Sequence, residues 1–325
     1  MKTTEELSAL VKESVEALRF KLSPAPLYEP IRYEMSLGGK RIRPLLCLMA
    51  CDLFDSSRLD EAVVPAMGIE LFHNFTLLHD DVMDRSDMRR GKPCVHVKWD
   101  ENTAILSGDA MQLVSYEYIQ KVSDRCLRPC LELFTKTALE VCEGQAFDMM
   151  FESRDDVRPD EYLEMIRLKT AVLLACSLKM GGIIAGADAS ALEHLYDFGI
   201  HVGLAFQMRD DLLDVWGDPA VFGKPIGGDI MCNKKTFLLI RALETAQGEA
   251  LSSLRRLLAS DDMPRKDKVA QVTALYERLG VKEYCQNEMD RLEALAMADL
   301  DALGLPEDRV SPLRRLAAEM MNREV

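Results

Sequence analysis

Two stretches decide how this chain folds: IELFHNFTLLHDDVMD at residues 69–84 and YDFGIHVGLAFQMRDDLLD at residues 196–214. Each opens on a run with few or no charges, Ile69 to Leu78 and Tyr196 to Met208. Such runs, apolar on every side, are central helices surrounded by other helices. Each then meets the same five-residue pattern, DDxxD: Asp80, Asp81 and Asp84 in the first, Asp210, Asp211 and Asp214 in the second. In a helix, positions four apart lie about 40° apart on one face. Asp80 and Asp84 therefore project together, as do Asp210 and Asp214, with Asp81 and Asp211 flanking them.

The sequence around these stretches is helical almost throughout. Leu7, Leu10, Val11, Val15 and Leu18 recur at spacings of three and four, which places them on one stripe. Leu163, Ile166, Leu173 and Leu174 do the same with Thr170 in the stripe, and so do Leu254, Leu257 and Leu258. Val95 to Trp99 is the only short alternating run, and no neighbour offers it a partner strand. Turn signals lie at Ser23-Pro24, Gly38-Gly39, Arg89 to Pro93, Gly217 to Pro219 and Gly227 to Asp229. Arg154 to Asp160 and Ser260 to Lys268 read as polar connections. There is no long Ser/Gly/Pro linker, so one all-α domain over residues 1–325, with ten or more helices, is expected.

Of 325 residues, 48% are hydrophobic, which is enough for a large core and excludes disorder. The net charge of −14 argues against binding a nucleic-acid backbone. The nine cysteines form no CxxC pair and read as buried free thiols in a reducing compartment. Cys47 and Cys51, four apart on a helix, fit core packing better than a metal site. The acidic, amphipathic N-terminus has neither signal nor transit character. The uncharged run Phe198 to Met208 falls short of the roughly 18 residues a membrane span needs. A cytoplasmic protein with no transmembrane segment is expected.

Like charges four apart destabilise a helix by about 0.2–0.5 kcal/mol, and burying them unpaired costs far more. Something cationic must offset them. Mg²⁺ prefers oxygen ligands and shares them with substrate phosphates. The basic residues fit the same chemistry: Lys40, Arg41 and Arg43 after Gly38-Gly39, then Arg89, Arg90 and Lys92, Lys169, Lys224, and Lys234-Lys235. Arg forks onto two phosphate oxygens and Lys supplies a point charge. Together these groups describe a diphosphate site with two anion subsites. Gly217 to Lys224 is a near miss for a P-loop, with Pro225 where Ser or Thr belongs.

The motifs GGKRIRP, LLHDDVMDRSDMRRGKP, GQAFD, LKTA, FQMRDDLLDVWGD and GGDIMCNKKT, in this order, resemble those of the trans-isoprenyl diphosphate synthases, the polyprenyl synthetase family. The resemblance runs over nearly the whole chain. It implies the all-α isoprenoid synthase fold around a deep apolar cavity, usually as a homodimer. It implies a prenyltransferase joining isopentenyl diphosphate head to tail to an allylic diphosphate (dimethylallyl, geranyl or farnesyl). Asp80 and Asp84 are then ligands of two Mg²⁺ ions and Asp210 of a third, with Asp81, Asp211 and Asp214 in support and Mn²⁺ able to substitute. Arg89, Lys169 and Lys234 grip the allylic diphosphate, and Lys224 joins after loop closure. Lys40, Arg43 and Arg90 grip isopentenyl diphosphate, beside His73. Thr170 and Gln207 line the reacting carbons. Gln145 and Asp148 form a further polar patch.

The resemblance also places the floor of the product cavity at Phe75 and Thr76, five and four residues before Asp80. Phe75 is about 7.5 Å below Asp80 along the helix, and Phe72 about 12 Å. A bulky Phe75 beside a small Thr76 suggests a C15 or C20 product, C20 being slightly favoured, rather than C30 or longer. A class I terpene cyclase shares the fold and one DDxxD. It has no use for Lys40, Arg43 and Arg90, and usually carries an Asn/Asp, Ser/Thr, Glu triad as its second motif. A noncatalytic partner subunit typically loses one or both aspartate clusters, and both are intact here.

Overall fold

The structure, a computed structural model, describes residues 1–218, 226–260 and 262–321. Its helices are α1 (Thr4–Glu16), α2 (Ala25–Ser36), α3 (Ile42–Phe54), α4 (Leu59–Met83), α5 (Val95–Lys98), α6 (Glu101–Ile119), α7 (Asp124–Glu152), α8 (Pro159–Ile166), α9 (Val172–Ala185) and α10 (Ala189–Trp216). After these come α11 (Gly228–Met231), α12 (Phe237–Thr245), α13 (Gly248–Leu258), α14 (Arg265–Arg278), α15 (Val281–Ala302) and α16 (Glu307–Met321). The fold is all-α. The chain forms two compact units. The first comprises residues 1–136, 176–195 and 306–312, the second residues 137–175, 196–305 and 313–325.

In the first unit, α4 is the central helix. It packs on α6 and α3, and Ile69, Leu71 and Phe72 have no exposed surface. Two polar groups in this run, Glu70 and Asn74, are buried as well. Arg41 answers them. Its Nη1 donates to Glu70 at 2.5 Å and to Asn74 at 3.3 Å, and its Nη2 to the Met35 carbonyl at 2.6 Å. The start of α1 is fixed by a capping box between Thr3 and Glu6.

In the second unit, α10 lies against the start of α9 so closely that only glycine fits. A Cβ at Gly203 would lie 2.5 Å from the Ala171 Cα. Residues 171–178 are buried without interruption. Between α8 and α9 the chain makes a π-helical turn, Arg167–Ala171. This wider turn displaces Lys169 and Thr170 from the regular apolar stripe in which the spacing had put Thr170.

Val95 to Lys98, the alternating run for which no partner strand was expected, is a helical turn, because a strand without a partner leaves its backbone groups unpaired. The small ladder lies just before it, pairing Met88–Arg89 with Lys92–Pro93 around a tight turn in which Arg90 and Gly91 have positive φ. The polar stretch from Ser260 is not all connection: α14 starts at Arg265, and Lys268 is only 2% exposed. All nine cysteines are free, but Cys142 and Cys232 are exposed. Finally, the continuous run Pro159–Ala185 is long and apolar enough to cross a membrane by length and composition, and 72% of its most apolar window is buried within the protein.

Gly203→Ala is expected to lower the unfolding free energy by about 1–3 kcal/mol, since the added methyl must push two backbones apart. Denaturant titration checks this, and an unchanged midpoint would mean that α9 and α10 separate freely.

Candidate active site

Both aspartate clusters sit at the C-terminal ends of buried helices, Asp80 to Asp84 closing α4 and Asp210 to Asp214 in the last turns of α10. The exposed carbonyls there already carry partial negative charge. Adding carboxylates makes each end a strong attractor for cations.

Within each cluster the three aspartates are treated differently. Asp80 and Asp210 are half-buried, while Asp81 and Asp211 are buried and pinned. In the first unit, Arg89 forks onto Asp81, Nε to Oδ2 at 2.8 Å and Nη2 to Oδ1 at 2.7 Å. In the second, the Tyr162 hydroxyl donates to Asp211 Oδ2 and Gln207 Nε2 to its Oδ1 at 3.2 Å. Burial, and then the charge of Asp229, push the Asp211 carboxyl up to about 7. The last members differ. Asp84 is exposed, whereas Asp214 is buried and accepts the backbone N–H of Gly228 at 3.1 Å and of Asp229 at 3.0 Å. Asp214 thus fastens the start of α11, a role its motif position did not suggest.

The cations of the first unit fall into one neighbourhood. Arg90 Nη1 donates to the Gly38 carbonyl, joining the RRGK turn to the GGK turn. Arg43 Nη1 lies 3.1 Å from His73 Nε2. Burial, then the charges of Arg43, Arg90, Arg89 and Arg41, push the His73 imidazole well below its usual range and keep it neutral. Burial also brings the Arg43 guanidinium down to about 10. Lys40 is exposed at the rim of this turn.

In the second unit, Lys169 Nζ donates to Asp148 at 2.6 Å. Burial raises the Asp148 carboxyl, but the charges of Lys234 and Lys169 and the Lys169 hydrogen bond bring it below its ordinary value. Thr170 Oγ1 donates to Gln207 Oε1 at 3.2 Å. Gly144 permits this packing: a Cβ there would lie 2.3 Å from the Lys169 amide nitrogen. The glycine of GQAFD thus brings α7 onto the π turn, with Gln145 and Asp148 following it. Lys224 lies outside the described residues.

Among the described residues, no three His, Cys, Asp or Glu groups converge as a ready-made metal cage. The donors nevertheless fit Mg²⁺. They are hard carboxylate oxygens, and Mg²⁺ takes one or two carboxylates and completes its shell with water and phosphate.

Below the first cluster, aromatic rings form a column within the first unit. Phe75 meets His79 edge-on at 4.8 Å and Phe72 at 5.3 Å, Phe72 meets Phe134 at 5.3 Å, and Phe134 meets Tyr116 at 4.9 Å. Phe75 is 7% exposed. Thr76 is half-buried, its hydroxyl turned back to the His73 carbonyl at 2.8 Å.

Sequence reasoning missed Tyr162, Asp229, the Arg41–Glu70–Asn74 anchor and Glu34. A charge inside the apolar run, Glu70, was a signal for the anchor. Tyr162 gave none. Glu34 has no exposed surface, and neither carboxylate oxygen has a hydrogen-bond partner among the described residues. Burial, and then the Asp81 charge, push it up to about 7 against the opposing charges of Arg89, Arg90 and Arg41.

The polyprenyl synthetase family model matches residues 24–277. A geranylgeranyl diphosphate synthase from Methanosarcina mazei is 42% identical, over 73% of this chain and 74% of its own. A short chain isoprenyl diphosphate synthase from Methanothermobacter thermautotrophicus is 37% identical over 95% of this chain and 96% of its own. A crystal structure of a geranylgeranyl pyrophosphate synthase superimposes with a TM-score of 0.95 at 40% identity, covering 100% of both chains.

The raised Glu34 has a consequence for stability. The folded state holds its proton more tightly than the unfolded chain does. Stability is therefore full below the ordinary value near 4.5 and is lost as pH rises through about 7. The loss is of order 3 kcal/mol. Glu34→Gln is expected to flatten this dependence in unfolding titrations at pH 5 and pH 8, and an unaltered slope would show that Glu34 does not cause it.

Proposed function

The chain belongs to the polyprenyl synthetase family, and from that premise we propose that it condenses isopentenyl diphosphate with allylic diphosphates to give an all-trans prenyl diphosphate of C15 or C20. It is a prenyltransferase of the short-chain kind. The observation that carries the reading is the repeated arrangement of a half-buried first aspartate beside a buried, pinned second one, Asp80 with Asp81 and Asp210 with Asp211. The whole chain acts as one domain. In support, four of the five points dividing the two units fall within continuous helices, α7, α9, α10 and α16.

Asp80, Asp84 and Asp210 are the direct ligands of three Mg²⁺ ions, for which Mn²⁺ can substitute. Asp81, Asp211 and Asp214 hold the surrounding backbone and side chains. Mg²⁺ at these carboxylates supplies positive charge to the departing diphosphate. Arg89, Lys169 and Lys234 bind the same allylic diphosphate, with Lys224 as a further cation. Lys40, Arg43 and Arg90 bind isopentenyl diphosphate, and the neutral His73 hydrogen-bonds it without adding charge.

The allylic carbon–oxygen bond breaks and its electrons leave with the diphosphate. The double bond of isopentenyl diphosphate forms the new carbon–carbon bond. The proton then lost passes to the released diphosphate, because the neighbouring side chains offer no separate base. The oxygens of Thr170 and Gln207, held 3.2 Å apart, stabilise the carbon-centred positive charge, and apolar walls exclude water.

Phe75 and Thr76 form the floor, with Phe72 behind Phe75. Support comes from the column His79–Phe75–Phe72–Phe134, which holds the rings in place. A homodimer is supported by α6, which leaves Ile105, Leu106 and Leu113 exposed at 45%, 60% and 69%. A cytoplasmic site is supported by nine free cysteines.

Incubating the purified chain with labelled isopentenyl diphosphate and each primer (C5, C10, C15), with and without Mg²⁺, tests the function. The expected result is a Mg²⁺-dependent C15 or C20 product. Turnover of an allylic diphosphate alone would point to a cyclase, and no turnover to a partner subunit. Asp210→Ala is expected to abolish activity, and a near wild-type rate would refute its metal role. Phe75→Ala is expected to lengthen the product by at least one five-carbon unit, whereas unchanged chain length would remove Phe75 from the floor.

A further inference from the structure

Lys268 is the group that the proposed chemistry leaves unexplained. It stands on the first turn of α14 with 2% of its surface exposed. Burying an ammonium is costly unless its donors are met. Among the described residues it is met by two neutral oxygens, Asn233 Oδ1 at 3.1 Å and the Ser260 carbonyl at 3.5 Å.

Asn233 opens the NKKT motif and has a left-handed backbone, φ 52°. Its side chain is clamped from both ends. The oxygen accepts from Lys268, and Nδ2 donates to the Leu258 carbonyl at 2.9 Å. The next residue is Lys234, whose backbone N–H bonds the Asp229 carbonyl at 2.9 Å. Asp229 is in turn tied to Asp214 through its own N–H at 3.0 Å. Arg265, one turn before Lys268, donates to the Ile226 carbonyl at 2.9 Å at the other end of the same segment. Asp211, Asp229, Asn233 and Lys234 line one small cavity.

The geometry points to Lys268 as a positioning residue for the allylic-diphosphate half of the site, acting through Asn233 to hold Lys234 and Asp229 in place. This rests on the assignment of Lys234 to the allylic diphosphate. Lys268 touches no substrate. Its ammonium fixes the turn from which Lys234 projects, so that a flexible, exposed lysine starts from a rigid base. Supporting groups of this kind typically carry about 10- to 100-fold in affinity or activity.

The test is steady-state kinetics on the full chain with Lys268→Met and Asn233→Gly, the second keeping the left-handed backbone while removing the amide. Each is expected to raise KM for the allylic diphosphate and the Mg²⁺ concentration needed for half-activity by about tenfold or more. KM for isopentenyl diphosphate should stay within about twofold, because Lys40, Arg43 and Arg90 belong to the other unit. The double variant should lose no more than the worse single one, as two members of one link do. If Lys268→Met fails to fold, Asn233→Gly alone decides. Equal effects on both KM values, no effect on either, or additive losses would overturn the inference. A wild-type chain that makes no prenyl product would instead overturn the function, so the two failures are distinguishable.

Discussion

Carboxylate crowding at the C-terminal ends of two buried helices is the constraint on which the rest of the structure depends. The end of α4 and the end of α10 each carry three aspartates where the helix already presents unpaired carbonyls. Left alone, these ends would repel each of their own charges and fray. The protein answers by burying one member of each set and pinning it internally. Arg89 takes Asp81 in a two-pronged ion pair, and Tyr162 with Gln207 takes Asp211 in neutral hydrogen bonds. The first aspartate of each cluster, Asp80 and Asp210, is half-buried.

The same economy of charge explains features that look unrelated. Arg41 sits next to residues assigned to a substrate but points inward, onto Glu70 and Asn74. It fixes the turn that presents Lys40 and Arg43. Lys268 does the corresponding work for Lys234 in the second unit. Close backbone contacts complete the scaffold: Gly144 lets α7 touch the π turn, and Gly203 lets α10 touch α9.

Much of this was legible in order of residues. The two DDxxD patterns, their apolar approaches and the cation-rich turns are local features, and periodicity placed them on helices. Thr170 and Gln207 were paired by motif, and the structure sets them in hydrogen-bond contact. Other features were not legible because they depend on what folds back. Nothing near Tyr162 announces Asp211, 49 residues later. The stretch ending in Lys268 is polar by composition, and its last residues became helix and interior because they meet the segment around Asn233.

By itself, then, the sequence determined the helical class, the two clustered acids and the chemistry they invite, since helix periodicity and residue type are properties of neighbours along the chain. Tertiary structure alone decided which aspartate of each cluster is buried and pinned, which arginine anchors and which one faces His73, and that a lysine would be buried. Those outcomes depend on distances between residues remote in sequence. A charge is stabilised or exposed according to what packs against it, and no local pattern carries that information.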